Sequence, residues 1–146
     1  MWIPPQIGLD KAEQIMGAHV LQAGLLPKGC SLESRDANVT SVGVRYVYTT
    51  YECVDEAGEW VDTFLVSQSA YPSGASDLLG RWNIGEATVT DTTVRGRPAK
   101  LVEGADIAVV EQDILAWEEG RFNFAIVSPS GFLPGGELEE IAAGLK

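Results

Sequence analysis

The spacing of apolar residues changes twice along this chain, and each change marks a change of element. From Leu9 to Ala23 the apolar residues fall three or four apart, at Leu9, Ala12, Met16, Val20 and Ala23, which predicts an amphipathic helix with Asp10 as N-cap or first-turn acid and Gly24 as its stop. Leu25-Leu26-Pro27-Lys28-Gly29 then turns the chain into a run of strands. Cys30 to Arg35 and Val39 to Cys53 read as a hairpin across Asp36-Ala37-Asn38. Along its second arm Val42, Val44, Tyr46 and Tyr48 share one face, while Gly43, Arg45, Thr49 and Tyr51 lie largely on the other.

Asp55-Glu56-Ala57-Gly58-Glu59 is a turn cluster leading to a strand from Trp60 to Ala70, where Phe64 and Val66 share a face. Tyr71 to Asp77 is the most loop-like stretch, followed by Leu78, Leu79 and Trp82 as anchors. Glu86 to Val94, rich in threonine and valine, predicts a strand, and Arg95-Gly96-Arg97-Pro98 a turn into Ala99 to Glu103. Ile107 to Val110 reads as an edge strand or linker, and Ile114 to Glu118 and Phe122 to Val127 flank a short hairpin at Glu119-Gly120-Arg121. From Glu137 to Leu145 the period becomes helical again, with Leu138, Ile141, Ala142 and Leu145 in one stripe. Helices segregated from a run of antiparallel strands predict an α+β fold, a curved antiparallel sheet with the N-terminal and C-terminal helices packed on one face. Residues 1–8 read as a tail and 9–146 as a single domain.

Charge narrows the range of partners. Ten basic against twenty-one acidic side chains leave a net charge of −11, which repels phosphate backbones and anionic lipid surfaces, so nucleic acid is not an expected partner. No apolar run approaches the roughly 20 residues that cross a bilayer, and Met1-Trp2-Ile3-Pro4-Pro5 has no signal-peptide pattern. Either the protein stays in the cytosol or an export or anchor segment has been removed. Cys30 and Cys53 are the only cysteines. With a turn at Asp36-Ala37-Asn38, Cys30 would face about Val44, leaving Cys53 about 30 Å away along the strand, beyond the ~7 Å Cα limit for a bridge. Two separate thiols are expected, and the bridge returns if those strands do not pair.

Candidate chemistry is sparse. His19, the one histidine, would have to anchor any triad or zinc site, and beside an apolar helical stripe it reads as structural. Glu103 with Asp106, and Glu111 with Asp113, read as exposed turn acids. No phosphate-cradling or calcium loop is present, so neither a metal nor a cofactor is expected. The aromatics are the better lead, since Tyr46, Tyr48, Trp60, Phe64, Trp117, Phe122 and Phe124 all fall on predicted strands and either pack on the helices or line a pocket.

A set of ordered motifs carries a resemblance across nearly the whole chain. They are the N-terminal helix with Leu26-Pro27-Lys28-Gly29 before a strand, Val44-Arg45-Tyr46-Val47-Tyr48, Val94 to Leu101, Leu115-Ala116-Trp117-Glu118-Glu119-Gly120, and Leu138 to Leu145. Together they resemble a bacterial family of unknown function, found as the extracytoplasmic part of membrane-anchored proteins, some anti-sigma-factor-like or sporulation-associated. The chain is also similar in architecture to periplasmic lipoprotein carriers and to sensor domains that regulate anti-sigma factors. It departs from that family in lacking an anchor and in its longer Tyr71 to Trp82 excursion.

The resemblance implies an extracytoplasmic, non-catalytic binding or sensing domain, part of a larger membrane-anchored regulator. Its partner would be another protein, and a membrane would be met only through an anchor absent from this chain. The alternative is a carrier holding a lipid or other apolar small molecule between sheet and helices. Tyr46, Tyr48, Phe64, Trp82 and Trp117 are the residues expected to contact the ligand.

Overall fold

The computed structural model describes residues 7–72, 85–107, 110–133 and 135–146. Its architecture is mainly β. Seven strands, β1 (Cys30–Val39), β2 (Arg45–Val54), β3 (Trp60–Ala70), β4 (Thr88–Val94), β5 (Arg97–Ile107), β6 (Val110–Glu119) and β7 (Phe122–Pro129), form one open antiparallel sheet in the order β1-β2-β3-β7-β6-β5-β4. Two meanders, β1 to β3 and β4 to β7, are joined where β3 pairs with β7. Two short helices, α1 (Leu9–Met16) and α2 (Gly135–Ala143), complete the fold.

Helix α1 is about half as long as the sequence period predicts. Gly17 adopts the left-handed conformation (φ 72°) and donates its N–H to the Glu13 carbonyl, closing the helix with an αL cap. Asp10 lies in the first turn, and Gly8 occupies the N-cap without a side-chain bond. The next residues form an irregular strap, and its backbone groups are satisfied by side chains from elsewhere. Val20 N–H donates to Glu13 Oε2 (2.8 Å) and Ala23 N–H to the Tyr51 hydroxyl (3.0 Å). Buried Gln68 grips both sides of the strap, accepting from Leu21 N–H and donating to the His19 carbonyl, each at 3.0 Å. Gln22 and Lys146 then exchange two backbone bonds of 2.9 Å. Val20 is buried, as the stripe predicts, but as part of this strap rather than of a helix.

The first hairpin turns later than its sequence suggests. Asp36, Ala37 and Asn38 are strand residues opposite Tyr48, Val47 and Tyr46. The chain reverses instead between Thr40 and Val44, where the two backbones bond at 2.8 Å, Val44 N–H donates to Thr40 Oγ1 (3.0 Å) and Gly43 takes φ 85°. Moving the turn brings Cys30 opposite Cys53, and the two form a disulfide with Cα atoms 4.0 Å apart. The expectation of separate thiols is therefore overturned by the register. Gly29, just before the bridge, has φ 85°, and a Cβ there would lie 2.3 Å from the Val54 carbonyl oxygen, so only glycine lets the two arms close.

Along β2 the buried side carries Val47, Thr49, Tyr51 and Cys53, and Tyr46 and Tyr48 point the other way. Strand register extends the buried side across the sheet, from Tyr51 to Phe64 and from Val66 through Ile126 and Leu115 to Leu101. Tyr51 stacks on Phe64 at 5.1 Å and Trp117 on Phe124 at 5.5 Å. Leu138, Ile141 and Ala142 of α2 join this cluster, while Ala12 and Met16 of α1 pack with Ala37 and Val47. Full burial of a side chain such as Phe64 contributes roughly 1.5–3 kcal/mol relative to exposure. On the reverse side Val102, Ala105, Ile114, Ala116 and Ala125 form a third buried cluster.

Asp113 also departs from expectation, because it is buried rather than an exposed turn acid. Its Oδ1 accepts from Gly104 N–H (3.0 Å) and Ser130 Oγ (2.8 Å), fastening the irregularity in β5 where Gly104 takes φ 81°.

Candidate functional site

The rings singled out from sequence do not gather in one place. Phe64 and Trp117 are 1% and 0% exposed and belong to the same packed cluster, so neither offers a surface to a ligand while the core is closed. Tyr46 and Tyr48 lie on the reverse side, their ring centroids 4.7 Å apart, opposite Asn38 and Asp36 of β1. Desolvation raises the Tyr46 phenol above its ordinary pKa, with the Asp36 and Tyr48 charges adding to the shift. Trp82, with Leu78 and Leu79, lies outside the described residues.

A surface groove, not a ring cluster, is the best-formed candidate site. Leu25, Leu26 and Pro27 form one wall and Glu137, Glu140 and Ile141 of α2 the other, enclosing about 340 Å³. Its shape follows from close backbone approach. Gly24 N–H donates to the Gly144 carbonyl at 3.0 Å, and a Cβ on Gly24 would come within 2.5 Å of that oxygen. The Pro27 carbonyl accepts from Cys30 N–H (3.1 Å), so the disulfide and the glycine contact hold the Leu25-Leu26-Pro27 wall from either end.

Leu25 is 68% and Leu26 36% exposed. Isolated exposed leucines are ordinary, but two in succession beside a proline and across from a helix flank make an apolar patch. Glu137 and Glu140 are exposed, and none of the described residues lining the groove is a cation. The arrangement suits an apolar segment bearing positive charge at its flanks. From sequence, Leu25 to Gly29 reads as a turn and as part of the resemblance and not as a site, although the adjacent leucines belong to neither helical stripe.

A second, shallower depression of about 330 Å³ lies between the strap and the sheet, with Phe122 and Phe124 in its lining and His19, Gln68 and Glu119 beside them. His19 is beyond α1 rather than on it. Its side chain is 63% exposed, and Nδ1 lies 2.8 Å from Glu13 Oε2. The Val20 N–H holds the Glu13 carboxyl below the usual carboxylate range, opposed by desolvation and assisted by His19. With both cysteines bridged, no thiol nucleophile is available to His19. Among the described residues there is no group of three or more His, Cys, Asp or Glu that could hold a metal, and no helix long and apolar enough to cross a membrane.

Comparison of the chain with protein-family models, curated proteins and solved structures finds no match. Roles for these residues therefore rest on their own geometry and chemistry.

Proposed function

We propose that the protein is a non-catalytic binding module working outside the cytoplasm, docking an apolar, positively flanked segment of a partner protein into the groove between Leu25-Leu26-Pro27 and α2. The acid-rimmed apolar groove is the observation that carries this reading. Three further features support it. The strand rings pack on one another, Trp117 on Phe124 and Tyr51 on Phe64, which leaves little room among them for a carried ligand. The Cys30–Cys53 bridge fits an oxidising compartment. Val47 and Tyr51 share one face of β2, and the cluster around each includes a different helix, so we read both helices as roofing the same face of a curved sheet. A place in a larger membrane-anchored regulator fits the same picture.

The carrier reading has one observation in its favour, the depression lined by Phe122 and Phe124. Selection of displayed random peptides against the purified protein separates the two. Peptides with apolar residues beside lysine or arginine are expected, with at least tenfold weaker binding to Leu25→Glu. A double Glu137→Lys, Glu140→Lys variant is expected to prefer acidic flanks instead. Selected peptides that bind Leu25→Glu as tightly as wild type would overturn the groove assignment.

A further inference from the structure

Four of the nine described lysines and arginines of this acidic chain are paired with carboxylates. Lys28 lies near Glu56, Arg95 and Arg97 meet Glu119, and Lys100 meets Asp91. Arg45 and Arg121 have no carboxylate within 4.0 Å among the described residues, and both line one cleft of about 450 Å³ together with Gly17, Gly43, Tyr71 and Pro72. None of the described residues lining that cleft is acidic, although acids outnumber bases two to one in the chain, twenty-one against ten.

Strand register explains how the two arginines come together. Arg45 pairs with Ala70, and Ala70 with Phe122, so the ends of β2, β3 and β7 lie side by side. Two strand spacings put Arg45 about 10 Å from Phe122 across the sheet, with Arg121 the next residue in the chain. Each guanidinium is positioned by a single contact. Arg45 Nη1 donates to the Ile15 carbonyl at 2.6 Å near the end of α1, and Arg121 sits over the Phe122 ring, 5.1 Å from its centroid. The Ile15 contact uses one N–H of Arg45 and leaves the rest of its fork free, and a cation–π contact uses none of the N–H donors of Arg121. Gly17 (φ 72°) and Gly43 (φ 85°) contribute backbone without side chains, and a Cβ on Gly43 would stand 3.0 Å from Pro72 Cγ, narrowing the mouth.

We infer that this cleft binds a small oxyanion, a phosphate or carboxylate group carried by a compact solute. Paired guanidinium forks recognise such groups through charge-assisted, often bidentate hydrogen bonds. The net charge of −11 argues for a compact anion, because a polyanion would feel the repulsion of the whole surface while a single group held between two arginines feels mainly the local field.

The test is a titration of 15N-labelled protein with inorganic phosphate and, separately, with succinate, at constant ionic strength. Saturable shifts are expected at the Gly17, Gly43 and Arg121 amides, with half-saturation at or below about 1 mM for at least one probe. Saturation by phosphate alone, by succinate alone or by both identifies which oxyanion the forks accept. Arg121→Gln is expected to weaken binding at least tenfold without changing the melting temperature. Arg45→Lys, which keeps charge but loses the fork, is expected to weaken it as well. Absence of saturation by both probes, or undiminished binding to Arg121→Gln, would overturn the site. Leu25→Glu is expected to leave these shifts unchanged, so this site and the groove succeed or fail separately.

Discussion

Near the Val54 end of β2 the surface is apolar and rimmed with acid, Leu25 and Leu26 against Glu137 and Glu140, whereas at the Arg45 end it is cationic and glycine-lined. Both ends hang on one sheet, yet they present opposite chemistry within a chain of strongly negative charge. The difference shows that net charge describes solubility and long-range repulsion but not local recognition. A packed sheet also keeps the two surfaces apart. The Tyr51, Phe64, Trp117 and Phe124 rings form a shared interior, so surface residues at either end can differ without disturbing each other.

The largest expected effect removes that shared interior. Trp117→Ala should cost about 3–5 kcal/mol, and both surfaces should fail together as the sheet loosens. An unchanged melting temperature would remove Trp117 from the core and break the comparison at its base.

Replacing both cysteines with serine is next in size. The bridge closes a span of 23 residues, for which the chain-entropy model gives about 3 kcal/mol. Because Cys30 N–H is bonded to the Pro27 carbonyl, the loss should fall unevenly on the two ends. Hydrogen exchange should accelerate more around Gly29 and Cys30 than around Gly43 and Arg45. Equal acceleration at both ends would mean that the bridge stabilises the whole sheet rather than the groove wall.

Leu25→Glu should change stability by no more than about 0.5 kcal/mol, since the side chain is 68% exposed, while removing peptide docking. Thermal unfolding beside a peptide titration checks both halves of that statement. A large fall in melting temperature would show that Leu25 is a packing residue and not a docking one.

The smallest effect concerns the strap on which the first meander leans. The Glu13 carboxyl is held below its ordinary range mainly by the Val20 N–H, so its stabilisation is present above the unfolded-state pKa and lost as pH falls through the lower folded-state value. Wild type should therefore lose stability on acidification more steeply than Glu13→Gln, and the two should converge at low pH. Melting temperatures recorded from neutral to acid pH test this, and parallel curves would contradict it.

Where turns carry their own chemistry, the chain was readable. Asp55 Oδ1 accepts from the N–H groups of Ala57 and Glu59, and β3 begins and ends where its residues predicted. The Glu119-Gly120-Arg121 hairpin followed the same rule, and the C-terminal helix formed as its stripe predicted but two residues earlier, over Gly135–Ala143. The first hairpin did not, because Asp36-Ala37-Asn38 has turn composition but forms part of an edge strand, where polar residues are also at home. That single displacement reversed the inference about the cysteines. In α1 the stripe outran the helix because Val20 stays buried in the strap, masking the stop at Gly17. Neither surface site was legible, since one depends on Gly24 meeting Gly144 and the other on three strand ends brought level by register.

Native mass spectrometry of protein purified without denaturation tests most directly whether the molecule binds at its surface or carries something within. The prediction is a bare, disulfide-closed chain with no apolar adduct. A stoichiometric lipid-like adduct that survives desolvation would contradict it, because such a molecule needs space between sheet and helices where Trp117 and Phe124 are stacked.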